Sequence, residues 1–195
     1  MKSKKTVSII VGLILFFLVS GIVIYLINDD TAYVFVEVNP NIQFVLNRKN
    51  KVVEVNALNE EAKDFLKDTK LKSKTLEKAS QEVSSKLAKS EYVSLNTKNI
   101  IMINTVSSKE KRNKKLNSTV EKIIKKEFDQ EDLSYDLIVG ATTELIKERA
   151  EKLNIAPGKM FLIHKAINLG SKQSEKELAV KSIKDIQKEI KNLID

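Results

Sequence analysis

The run from Val7 to Ile27 narrows the options for this chain more than any other segment. It carries no charge, and only Ser8, Ser20, Gly12 and Gly21 interrupt its apolarity. A helix that crosses the hydrocarbon core needs roughly 20 apolar residues. A buried helix of a globular domain would show an apolar stripe rather than an apolar circumference. A cleaved signal peptide would have a shorter apolar region, about 7–15 residues, closing on small residues. This run instead ends in Tyr25-Leu26-Ile27-Asn28-Asp29-Asp30. Residues 7–27 are therefore read as an uncleaved transmembrane signal anchor. Lys2, Lys4 and Lys5 precede it, and Asp29 and Asp30 follow. Positive flanks stay in the cytoplasm, so the expectation is a single-pass protein of the cell membrane. Residues 1–6 would form a cytoplasmic tail, and residues 28–195 one extracytoplasmic domain, long enough for a sizeable core.

Composition excludes several kinds of chemistry for that domain. There is no cysteine, hence no disulfide and no thiolate site, and the only histidine is His164, which sits in a helical pattern. Neither a histidine triad nor a histidine metal cluster can be assembled from it. Gly158-Lys159 lacks the rest of a phosphate-binding loop. Glu60-Glu61 falls at a helix start, where carboxylates complement the helix dipole. No cofactor, no metal and no external substrate are expected. Three of the 34 Lys and Arg precede the apolar run, leaving 31 against 26 Asp and Glu. The lysines are spread over helix faces without interleaved aromatics, which reads as a solvated surface and not as a nucleic-acid groove.

Periodicity gives an α+β reading: an antiparallel or mixed sheet first, packed with several helices that follow. Val34, Val36 and Val38 alternate with Tyr33, Phe35 and Glu37, a strand pattern. Asn39-Pro40-Asn41 breaks it, and Ile42, Phe44 and Leu46 begin a second strand; Val53, Val55 and Ala57 follow the turn Arg48-Lys49-Asn50-Lys51 as a third. Short connections imply a meander. Helices are predicted around Ala62-Phe65-Leu66, from Leu76 to Leu87, and from Leu116 to Phe128, the last preceded by a capping-box pattern at Ser107 and Glu110. Ile100–Val106 reads as a buried strand. Leu133–Val139 fits either a strand or the start of a helix continuing through Leu145 and Leu153. Pro157 suits the first turn of a further helix and Gly170 its end. One final helix is expected from Ser174 through Leu193.

Asn39-Pro40 carries a chemistry of its own. The plain reading is a turn, since both residues favour turns. Yet the side-chain nitrogen of an asparagine can attack its own backbone carbonyl, closing a succinimide and expelling the next residue's amine. The competing attack, by the next residue's backbone nitrogen, is closed off because proline has no N–H. Asn-Pro therefore favours chain cleavage over deamidation. Proline is also expected to push Asn39 towards an extended conformation, and a tight loop could hold the attack geometry.

The stretch Ala32-Tyr33-Val34-Phe35-Val36-Glu37-Val38-Asn39-Pro40-Asn41-Ile42, with Leu46-Asn47-Arg48, Val52-Val53 and Ala57-Leu58-Asn59, resembles the extracytoplasmic domain of RsgI-type anti-sigma factors of Gram-positive bacteria. The segment Lys152–Ile163, with Asn154-Ile155-Ala156-Pro157-Gly158-Lys159 at its centre, resembles that family's pattern near the domain's end. The resemblance implies self-cleavage between Asn39 and Pro40, the first strand then remaining paired in the sheet until pulling or unfolding exposes the membrane stub to proteases. In the family this frees a sigma factor held by a cytoplasmic domain. Two departures stand out: only Met1–Thr6 precede the apolar run, and Glu37 and Asn41 stand where Asp and Ser are expected. The expected partners are thus the membrane, membrane proteases and a separate anti-sigma or sigma component. The alternative is a non-catalytic structural or adaptor domain facing the cell wall, with Asn39-Pro40 an intact turn.

Overall fold

The computed structural model describes residues 31–194, so the Val7–Ile27 run and the tail before it lie outside the described residues. No helix among the described residues is long and apolar enough to cross a membrane. The sheet is built around its first strand. β1 (Ala32–Glu37) pairs antiparallel with β2 (Asn41–Leu46) on one side and with β4 (Asn99–Val106) on the other. β3 (Val52–Ala57) completes the expected meander beside β2, and β5 (Tyr135–Thr142) runs parallel to β4, giving the order β3-β2-β1-β4-β5. The sheet is mixed because a parallel pair needs a long crossover, and the helix between β4 and β5 supplies one.

Seven helices are found among the described residues: α1 (Glu60–Leu66), α2 (Leu76–Ala88), α3 (Glu110–Gln130), α4 (Glu144–Lys152), α5 (Pro157–Asn168), α6 (Glu175–Ala179) and α7 (Ile183–Ile194). Each side of the sheet has its own core. Val34, Val36, Phe44, Ile101 and Ile103 pack with side chains of α1, α2 and α3, such as Phe65, Val83 and Phe128. On the opposite face Met102 joins Met160 and Ile163 of α5, Ala150 of α4, Leu178 of α6 and Ile186 of α7. A strand covered on both faces reads as a continuous apolar run, and β1 is buried at Val34, Phe35 and Val36 in succession. The alternation in its sequence therefore does not mark a wet face.

Two expectations need correcting, and one choice left open is decided. Ser107 and Glu110 form no capping box: α3 starts with Lys109 at its N-cap and no side-chain cap, while the Ser107 hydroxyl lies 2.6 Å from Asn113 Oδ1. Ser107 stands two residues too early to cap. The ambiguous segment after Leu133 is a strand up to Thr142, and Thr143 then caps a separate helix by accepting from the Ile146 N–H. The final helix is two. Ser174 and Glu177 form a capping box for α6, and Ser182 accepts from the Asp185 N–H to start a new helix, α7. A second serine with an acid three residues on restarts the hydrogen-bond ladder, which the apolar spacing alone does not reveal.

Phe128 anchors the first core. It is fully buried and meets Tyr135 edge to face, ring centres 5.5 Å apart. Phe128→Ala is expected to cost about 3–5 kcal/mol, measurable as a lowered urea midpoint with the denaturant dependence unchanged.

Candidate functional site: the turn at Asn39 and Pro40

The hairpin between β1 and β2 turns over three residues, Val38, Asn39 and Pro40. Glu37 still pairs with Asn41, and the Val38 N–H donates to the Pro40 carbonyl at 3.2 Å. Asn39 alone occupies the apex, and the reversal forces its φ to +89°. This departs from the extended conformation that the following proline leads one to expect: the chain reversal overrides the proline's preference. A non-glycine residue at positive φ is strained, asparagine being among the residue types that tolerate it best, at a cost of order 1–3 kcal/mol. Asn39 is exposed, and Pro40 beside it is buried.

The Asn39 carboxamide is not free to rotate. Asn59 Nδ2 donates to Asn39 Oδ1 at 2.6 Å, and Asn39 Nδ2 donates to Glu61 Oε1 at 3.4 Å. Asn59 is also the N-cap of α1, its Oδ1 accepting from the Ala62 N–H at 3.1 Å. The same oxygen accepts the Asn41 N–H at 3.0 Å, and the Leu58 N–H closes the arrangement on the Asn41 carbonyl at 2.9 Å. Asn59 thus grips both sides of the Asn39–Pro40 bond, the side chain before it and the backbone after it. Residues 57–59 bring β3 directly into α1, and this connection delivers Asn59 and Glu61 to the turn. The sequence pattern Asn59-Glu60-Glu61 signals a helix start and nothing more; its contact with Asn39 comes from the register of β3 on β2, which pairs Ile42 with Ala57.

Two residues before the turn, Glu37 is buried inside the second core. Its Oε1 accepts the Gly158 N–H at the start of α5 at 2.7 Å, and Oε2 has no hydrogen-bond partner. Burial raises its pKa from the ordinary carboxylate value to about 7, opposed by the Gly158 and Lys159 amides. The Lys159 ammonium does not neutralise it but reaches the Ala179 carbonyl at 2.6 Å. The approach of α5 is so close that a Cβ on residue 158 would lie 2.6 Å from Glu37 Oε2 and 2.8 Å from Met102 Cε. Pro157-Gly158 is therefore no fragment of a phosphate loop. Pro157 begins the helix, and Gly158 lets its exposed amides close on a carboxylate in β1.

His164 belongs to a different cluster, 3.2 Å from both Arg149 Nη1 and Glu175 Oε1. Among the described residues no group of His, Asp and Glu is arranged to hold a metal ion.

Residues 31–165 match the model of the anti-sigma factor RsgI-like central domain. The chain belongs to this family. The match begins at the edge of β1 and ends within α5, so it contains both the turn and the Glu37–Gly158 contact, while α6 and α7 lie beyond it. Among curated proteins, the chain is similar to three from Acetivibrio thermocellus. Anti-sigma-I factor RsgI7 is 26% identical over 97% of this chain and 35% of its own length. Anti-sigma-I factor RsgI6 is 29% identical over 87% of this chain and 24% of its own length, and RsgI9 is 30% identical over 85% and 24%. The chain thus spans about a quarter to a third of the length of these relatives.

The buried carboxyl makes the RsgI-like domain's stability depend on pH in a defined direction. A carboxyl whose pKa is raised on folding favours the folded state while it is protonated. That contribution is complete below the ordinary carboxylate range and lost as pH rises through about 7. Glu37→Gln removes the titration and keeps an oxygen for the Gly158 amide. The wild type is therefore expected to lose on the order of 3 kcal/mol relative to this variant between pH 4.5 and 7.5, read from denaturation curves of both proteins across that window.

Proposed function

We propose that this chain is a membrane-anchored envelope signalling protein of the anti-sigma factor type, whose outer RsgI-like domain cuts itself between Asn39 and Pro40. The observation that carries the reading is the state of Asn39: at the apex of a three-residue turn, at φ +89°, with its carboxamide held on both atoms. The chain reversal by itself accounts for the positive φ, but an inert turn has no need of two hydrogen bonds that hold the carboxamide. The following proline removes the competing deamidation. Membership of the family and the apolar run at Val7–Ile27 support the anchored, signalling part of the proposal.

After cleavage β1 would remain in place without a covalent link to β2. It is paired from Ala32 to Glu37 with β2 and from Tyr33 to Glu37 with β4. Pulling or unfolding would extract it and leave a membrane stub open to membrane proteases. The cytoplasmic output would reach a sigma factor through a separate anti-sigma or sigma component.

The test is the size of the full chain carrying a C-terminal tag, with mass spectrometry of its fragments and Asn39→Ala beside it. The expected result is a tagged piece beginning at Pro40 that co-purifies with its partner fragment under native conditions and parts from it in denaturant. Asn39→Ala stays intact. If the wild type also stays full length in both conditions, the domain is a non-catalytic adaptor facing the cell wall.

A further inference from the structure

Closure of a succinimide at Asn39 requires more than a strained turn. The amide nitrogen is a poor nucleophile, since its lone pair is delocalised into the carbonyl, and it carries a proton that must leave as the new bond forms. A group that accepts this proton must stand at Nδ2, and one candidate does: Glu61 Oε1, at 3.4 Å. The other end of the same carboxamide is tied to Asn59, so that the nitrogen and not the oxygen is presented to the carboxylate.

We propose that Glu61 is the base for cleavage at Asn39 and that Asn59 is the residue that positions the carboxamide. The proposal rests on the self-cleavage reading above. As the Asn39 Nδ2–C bond forms, one Nδ2 proton passes to the Glu61 carboxylate. The Asn39 C–Pro40 N bond breaks, and the proline nitrogen takes one proton, returned by the Glu61 carboxyl or by water. The products are a fragment ending in a cyclic imide at residue 39 and a fragment beginning with the free amine of Pro40. No water molecule is consumed, so the first fragment is lighter by one water than the corresponding acid until it hydrolyses.

Asn59 supports the step from the far side. Its donation to Asn39 Oδ1 stabilises the charge distribution that develops as the nitrogen gives up its proton. Its two accepted bonds, from Ala62 and Asn41, fix its own position against α1 and β2. The three groups come from different elements, the β1–β2 turn, the α1 cap and the first turn of α1. Their meeting is a property of the folded domain, so cleavage should follow folding and not synthesis.

The experiment uses the full tagged chain in membranes, pulse-labelled so that conversion of the intact chain can be timed. Glu61→Gln keeps the shape and hydrogen-bonding oxygen but cannot take up a proton; Glu61→Asp restores a carboxylate on a shorter arm. Thermal melts of both variants check the fold, which a half-buried side chain at the helix start should not upset. The expected result is cleavage slowed about 100-fold or more in Glu61→Gln, with Glu61→Asp faster than Glu61→Gln, and a first fragment with the imide mass. Glu61→Gln cleaving as fast as the wild type would overturn the role of Glu61 while leaving self-cleavage intact. So would Glu61→Asp being as slow as Glu61→Gln with both variants folded, since a carboxylate would then not be what matters. A wild type that never cleaves would overturn both readings together.

Discussion

Everything in this domain is arranged around a strand that is buried at every residue but Tyr33. β1 lies in the middle of the sheet, with β2 and β4 on its edges, α1–α3 on one face and α4–α7 on the other. A strand covered on all four sides contributes the apolar area of nearly every side chain it carries, and its backbone groups are satisfied by both neighbours. The consequence is that β1 can be severed from β2 and still belong to the fold. The turn at Asn39 lies just past its last paired residue, Glu37, so breaking the bond there removes no ladder hydrogen bond between β1 and its neighbours. The same cut inside a strand would cost pairings and expose apolar surface.

Glu37 qualifies that account. A carboxyl among apolar side chains is costly unless something compensates it, and here one oxygen receives a helix amide while the other receives nothing. The site would pack more favourably with an apolar side chain. What the carboxyl adds is a specific tie between β1 and α5, two elements more than a hundred residues apart in the chain. On the proposed reading this tie would join the two fragments after cleavage, Glu37 on the membrane-side piece and Gly158 on the other, so the hold on β1 would include a polar contact whose strength follows its protonation. Gly158 belongs to the same device, since any side chain there would collide with it.

Much of this was legible in the residues, and the exceptions have physical reasons. The alternating and helical periods place the first four strands and the first three helices, because those patterns are set by which face is buried. The split between α6 and α7 escaped because apolar spacing is continuous across it, while the restart depends on the local side-chain caps at Ser174 and Ser182. The strand β5 was ambiguous because its period is blurred by a partly exposed edge position. At the site, Asn39 and Pro40 can be found from bond chemistry alone. Asn59, Glu61 and Glu37 cannot, since each has an ordinary local explanation and acquires its contact only through strand register or helix docking. At Gly158 the sequence already excludes a phosphate loop, but the carboxylate that its missing side chain admits comes from β1 and cannot be read from the local residues.

The geometry at the turn also explains why a reaction that most Asn-Pro bonds never undergo could be confined to this one. The reversal between Glu37 and Asn41 is fixed by pairing on both strands, so the positive φ of Asn39 cannot relax without loss of register. Asn59 cannot release the carboxamide without also giving up its cap on α1 and its bond to Asn41. Each restraint on Asn39 is therefore held in place by contacts that stabilise the domain for other reasons. Strain of order 1–3 kcal/mol is small against the stability of a domain with two cores, yet it is concentrated on the backbone of the one residue whose carbonyl must be attacked. Breaking the bond relieves that strain while β1 stays clamped. On the proposed reading, a folded domain so built would lose little by cutting itself, and would exchange a covalent connection to its first strand for one that force can undo.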